Sequence, residues 1–178
     1  MKVFPVCFFC VLLLLSGCAS QIPLEIREPP AASPLFSQVR DDPKAYQGQP
    51  VRWGGTIVKV ENRPTETWVE VLAKELGSEG RPVESDASLG RFLMKAIGFL
   101  DPVVYRTDRR ITVYGRLAGQ ETRKIGDLPY TYPVVQADTY YLWSERRYYD
   151  YPPYWYYPYY YPYYPYPRFH FGFYRGWW

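Results

Sequence analysis

A run of thirteen apolar positions, Val3 to Leu15, follows Lys2 and ends at the small residues Ser16 and Gly17. As a helix it rises about 20 Å against about 30 Å of bilayer hydrocarbon, too short for a stable span, and so reads as a secretory signal. Past it the pattern turns to alternation. Val51 to Val60 is rich in β-branched residues and predicts a strand, with Gly54 and Gly55 marking a bulge or sharp bend. Glu61 to Pro64 reads as a turn. Thr65 to Leu72 then sets Thr67, Val69 and Val71 on one face and Glu66, Trp68 and Glu70 on the other, a half-buried strand paired in a hairpin with the first.

Leu76 to Gly90 is polar and rich in Gly and Ser and reads as a mobile loop. A third strand alternates Phe92, Met94 and Ala96 against Arg91, Leu93 and Lys95. The fourth spans Arg110 to Leu117, with Ile111, Val113 and Leu117 on one face and Gly115 at a bend, and the fifth runs from Tyr132 to Trp143. Leu35 to Arg40 predicts a short helix. Asp42-Pro43 and Asp101-Pro102 each open a helical turn that an Asp can cap, and each leads into a strand. The expected fold is all-β: a small OB-like Greek-key barrel with short helical turns, an open meander or sandwich being the alternative.

Composition changes the picture at the two ends. Ala19 to Pro34 carries four prolines and predicts an extended tether that would hold the domain off a surface. From Tyr148 the chain is almost wholly Tyr, Pro, Trp, Phe, Arg and Gly, without Leu, Ile, Val or Ala. Repeated proline blocks helix and central strand, so this is expected to be a disordered aromatic tail. Its candidate roles are lodging at a membrane interface, where Tyr and Trp concentrate, or stacking on a glycan or protein partner, against the plainer reading of a low-complexity extension. The expected organisation is therefore signal 1–17, tether 18–34, barrel 35–147 and tail 148–178.

Candidate chemistry is sparse. The formal net charge of +3 is too small and too evenly spread to point to nucleic acid. His170 is the only histidine and lies in the tail, which leaves a nucleophile in the barrel without a base. Cys7 and Cys10 leave with the signal, so the mature chain keeps Cys18 and lacks the ligands for zinc and the partners for a disulfide. No catalytic, metal or cofactor residue is assigned. OB barrels often bind sugars or oligonucleotides on one face, and Trp53, Trp68 and Tyr114 are the candidate aromatic platform here. In the plainer reading Trp53 packs the core and the other two cover the sheet.

Leu15-Ser16-Gly17-Cys18 resembles the lipobox of bacterial lipoproteins. The resemblance implies cleavage between Gly17 and Cys18, diacylglycerol on the Cys18 thiol and, in many bacteria, an N-acyl chain on the new amine. With Ile22-Pro23, Val51-Arg52-Trp53-Gly54-Gly55, Gly98-Phe99-Leu100-Asp101-Pro102 and Ile111-Thr112-Val113-Tyr114-Gly115, the chain resembles the Slp family of outer-membrane lipoproteins over residues 1 to 143. That resemblance implies outer-membrane lipid as the partner reached through Cys18, a link to starvation or envelope stress, and no established catalytic residues; the leaflet is left open, with the periplasm-facing one preferred. In the enterobacterial sorting rule Asp after the cysteine retains a lipoprotein in the inner membrane, and Ala19 does not. An envelope glycan or protein is the further partner class left open. The tail is expected to depart from the family.

Overall fold

A computed structural model of the chain describes residues 21–145. Five strands, β1 (Pro50–Asn62), β2 (Glu66–Lys74), β3 (Gly90–Ile97), β4 (Arg110–Ile125) and β5 (Leu128–Leu142), close a barrel in the order β1-β2-β3-β5-β4. Every pairing is antiparallel except β3 with β5. A five-stranded Greek-key barrel closed in this way is the OB arrangement expected from the alternation pattern.

The alternating sets point inward as read. Val69 and Val71 from β2, Phe92, Met94 and Ala96 from β3, and Ile111, Val113 and Leu117 from β4 share one core with Val51, Trp53 and Ile57. Helix α2 (Phe36–Asp41) seats Phe36 against Trp53, ring centroids 4.7 Å apart, beside the start of β3. Past the other end of β3, the Gly98–Asp108 connection inserts Leu100, and Tyr105 packs on the same core.

Three local expectations are corrected. Gly54 and Gly55 hold no bulge, since the register shift falls between Ile57 and Lys59. They lie where β1 pairs with β2 and β4 at once, and a Cβ at Gly55 would stand 1.9 Å from the Leu72 carbonyl oxygen. Leu76 to Gly90 is pinned rather than a free loop. Leu76 bridges Pro82, Gly80 is buried, and the Lys74 ammonium donates to the Ser85 and Ala87 carbonyls at 2.7 and 2.8 Å. Its Gly and Ser content serves tight turns, with Gly80 at φ +78°.

The described part of the 18–34 stretch is not simply an extended tether. Leu24–Arg27 forms a helical turn, α1, and its Ile26 is fully buried. One buried apolar side chain suffices because Arg52 donates to the Ile26 and Arg27 carbonyls at 3.1 and 2.6 Å, satisfying the end of the turn. The two Asp-Pro segments form single capped turns as expected, the second closed by the Tyr105 amide on the Asp101 carbonyl at 2.9 Å. The Asp42 carboxylate accepts the Ala45 amide and the Asp101 carboxylate accepts the Val103 amide, and each motif ends on a tyrosine, Tyr46 or Tyr105, packed on the core.

Candidate functional site

The structure does not gather Trp53, Trp68 and Tyr114 into one platform. Trp53 is inside the barrel core. Tyr114 is half-buried on β4, paired with Arg52 on one side and Thr139 on the other. Trp68 belongs to a separate outer cluster with Leu93, Tyr132 and Val134. β4 and β5 continue as a hairpin beyond their expected ends, through Gln120 to Ile125 and back through Leu128 to Tyr132, and Ile125 and Tyr130 of that extension pack on this cluster.

The Trp68 indole is held on all sides. Its N–H donates to Glu66 at 2.6 Å, and the cations of Arg63, Lys95 and Arg123 stand 4.2, 5.0 and 5.1 Å from its ring. Only 7% of the residue is exposed, so it offers no free stacking face. Next to it, the Tyr132 hydroxyl and the Arg91 guanidinium both donate to one Glu70 oxygen, at 3.0 and 2.6 Å. Burial, and then the Glu70 hydrogen bond, push the Tyr132 hydroxyl up to about 12. The Trp68 hydrogen bond holds the Glu66 carboxyl below its usual value, and the Lys59 hydrogen bond does the same for Glu61. A general acid at neutral pH needs the opposite shift.

A second constellation went unread in the sequence. The Trp143 indole N–H donates to the Thr112 hydroxyl at 2.9 Å, and that hydroxyl donates to the Gly80 carbonyl at 2.7 Å. A Cβ at Gly80 would lie 2.0 Å from the Ile26 carbonyl oxygen, so the 78–81 turn and α1 touch backbone to backbone. Arg81 donates to the Ser144 carbonyl at 3.0 Å. Arg109 donates to the Val104 and Trp143 carbonyls, both at 3.1 Å, and Arg106 pairs with Glu145. Thr112 and Ile26 are fully buried and Trp143 is 4% exposed. This corner ties the beginning of the described chain, the Gly98–Asp108 connection and the end of β5 together. Apart from the Arg109 bond to Val104, these bonds run between residues 31 or more apart in sequence, which is why periodicity gave no sign of the corner.

The Gly98-Phe99-Leu100-Asp101-Pro102 motif is explained nearby. Gly98 adopts φ +81°, its carbonyl accepts the Thr67 hydroxyl at 2.8 Å, and that hydroxyl accepts the Leu100 amide at 3.1 Å. The outcome is a buried Leu100 beside exposed Phe99, Val103 and Val104. A cleft of about 270 Å³ lies between Phe36, Arg52, Trp53 and Lys74, and the Lys74 ammonium is already bound to the Ser85 and Ala87 carbonyls.

Among the described residues no group of three or more His, Cys, Asp or Glu side chains could hold a metal ion, and no helix is long and apolar enough to cross a membrane. Gly17, Cys18, His170 and the 148–178 segment lie outside the described residues.

The barrel follows an N-terminal apolar run that ends in Leu-Ser-Gly-Cys, the pattern expected of a small envelope domain of the lipoprotein class. The model of the outer membrane lipoprotein Slp family matches residues 15–169, and the chain belongs to that family. The match continues past Trp143 into the aromatic segment, which was expected to depart from the family. YeaY, an uncharacterized lipoprotein of Escherichia coli K12, is 36% identical over 132 residues, 74% of this chain and 67% of its own. The outer membrane protein Slp of the same strain is 33% identical over 135 residues, 75% of this chain and 71% of its own. An uncharacterized protein of Haemophilus influenzae is 44% identical over 103 residues, 57% of this chain and 56% of its own. A small single-stranded DNA-binding protein from Streptomyces coelicolor is similar in structure over 53% of this chain and 94% of its own, at a TM-score of 0.35 and 12% identity, too distant to carry an argument. The protein is an outer-membrane lipoprotein.

Proposed function

We propose that the chain is anchored through acyl chains on Cys18 in the periplasm-facing leaflet of the outer membrane. There it serves the envelope by contact rather than by catalysis, in the starvation- or stress-linked role that the family implies. The observation that carries the anchor is Leu15-Ser16-Gly17-Cys18, which falls inside the segment matched by the family. Two or more acyl chains hold a protein stably on a bilayer where one does so only marginally. Support for contact over catalysis comes from the carboxylates. Glu61, Glu66 and Glu70 are each committed to Arg or Lys partners, and the shifts at Glu61 and Glu66 run away from proton donation.

The experiment is metabolic labelling with a tagged fatty acid, followed by membrane fractionation. Wild type should carry label and sediment with the outer membrane, while Cys18→Ala should lose label and remain uncleaved or soluble. Equal labelling of the two would remove Cys18 as the anchor.

A further inference from the structure

We propose that the cleft where α2 meets β1 and the end of β2 binds a small amphiphile, with one alkyl chain in the cleft and an anionic carboxylate or phosphate head against Arg52 and Lys74. The site goes beyond the Cys18 anchor and does not depend on it.

The cleft is built by a motif that strand pairing leaves partly unexplained. Arg52, Trp53 and Gly54, the middle of Val51-Arg52-Trp53-Gly54-Gly55, all line it. Trp53 brings the edge of the barrel core. Gly54 brings bare backbone, where a Cβ would stand 2.9 Å from the Leu76 side chain. Pro34 and Leu35 form a further wall, on the segment between α1 and α2. That segment is held at both ends by the buried Ile26 and Phe36, so it stands as a wall and not as a free tether. Leu35 is 67% exposed and Leu89 38%, which leaves part of the apolar lining to water. The volume, about 270 Å³, falls just under the about 300 Å³ at which pockets for drug-sized molecules begin, which suits a single chain.

Charge complementarity sets the head. Arg52 gives Nη1 to the Ile26 and Arg27 carbonyls, and its buried Nε has no partner. Lys74 is 9% exposed and gives its ammonium to the Ser85 and Ala87 carbonyls. Carbonyls satisfy donors but leave the charge standing. Glu75, the one acidic residue of the lining, is exposed and pairs with neither cation. Five partly buried cations elsewhere on the barrel are treated differently. Arg91, Lys95, Arg109, Arg110 and Arg123 each face a glutamate at between 2.6 and 3.7 Å. Burial lowers the Arg52 guanidinium from its usual value, as expected of a charge without its counterpart. An anionic head supplies that counterpart, and a guanidinium matches carboxylate and phosphate oxygens alike. A domain held at the outer membrane meets both kinds of head.

The test uses the mature chain with Cys18→Ala, so that no acyl anchor competes for the cleft. Backbone amide and indole NMR signals are followed as octanoate, octyl phosphate or neutral 1-octanol is added below micelle-forming concentration. Octanoate, octyl phosphate or both should shift Arg52, Trp53 and Gly54 saturably, with roughly tenfold or more higher affinity than 1-octanol. A response to octanoate alone marks a free acyl acid and one to octyl phosphate alone a phospholipid-type head, and either supports the site. The variants leave Arg52 in place, because it also holds α1. Leu35 is exposed, so its replacement should leave the melting temperature within about 3 °C of the parent. Leu35→Glu should weaken binding roughly tenfold or more while Leu35→Lys retains it, since the two differ in the sign of the charge at the wall. The site is overturned by equal affinity for 1-octanol, by equal binding to the two Leu35 variants, or by shifts confined to residues away from the cleft. The absence of any saturable shift overturns it as well.

Discussion

At the scale of single residues, close approach and hydrogen-bond geometry decide what the chain tolerates. Gly55 pairs with Ala73 on β2 and Ile111 on β4, with the Leu72 carbonyl oxygen 1.9 Å from where a Cβ would stand. A backbone oxygen in a paired strand cannot swing aside as a side chain does, so Gly55→Ala should cost about 3 kcal/mol or more, read by urea unfolding. A loss under 1 kcal/mol would mean that β1 and β2 separate freely at that point. Tyr132 supplies the pH test. Its hydroxyl is pushed up to about 12 by burial and by the Glu70 hydrogen bond, above the ordinary value of 10. A raised folded-state value means that the stabilisation is complete below pH 10 and is lost as the pH climbs from 10 to 12. The loss is no more than about 2–3 kcal/mol. Tyr132→Phe should be less stable than wild type at pH 8 and should close that gap by pH 12. A gap that is constant across the range would show that the hydroxyl contributes nothing through its proton.

At the scale of elements, α1 and the β4–β5 hairpin show where sequence reading succeeds and where it stops. Ile26→Ala deletes the one buried side chain of α1, and filling its site is worth about 2 kcal/mol or more. Ile26 is not a member of the barrel core, so the cost should appear as local opening. Proteolysis within residues 21–30 should rise roughly thirtyfold while the barrel melts almost unchanged. A large fall in melting temperature would instead make α1 part of the cooperative fold. The strands were legible because Val69, Val71, Phe92, Met94, Ile111 and Val113 alternate with outward residues at a period of two. α1 was not, because a four-residue turn among prolines, with Ile26 its one buried side chain, is too short to show a period. The outer half of the hairpin was missed because Gln120 to Lys124 is polar throughout and is held by backbone pairing and by the Arg123 ion pairs with Glu61 and Glu121. The Ile125-Gly126-Asp127-Leu128 turn, with Gly126 at φ +60°, was the one local sign of it. The aromatic platform failed for a related reason, since residue type does not say that the three rings would fall on different surfaces.

At the scale of the whole molecule, the question is where the folded unit ends. The β4–β5 ladder closes at Ile111 with Leu142, and Trp143 donates its backbone N–H to the Arg110 carbonyl and its buried indole N–H to the Thr112 hydroxyl. Ser144 and Glu145 make the last described ties, to Arg81 and Arg106. A mature chain truncated after Arg147 keeps every one of these interactions. One truncated after Leu142 loses Trp143, a nearly buried indole whose removal costs about 3–5 kcal/mol and leaves the Thr112 hydroxyl without its donor. For a domain of this size that cost corresponds to a fall of roughly 10–20 °C in melting temperature. Calorimetry on the two truncations, only five residues apart, should therefore give one curve that overlays the full mature chain within about 2 °C and one shifted far below it. The comparison is made without the acyl chains so that vesicle binding cannot add apparent stability by mass action. If both truncations melt low, residues beyond Arg147 contribute to the fold. If both melt with the full chain, the Trp143–Thr112–Gly80 corner is dispensable to it.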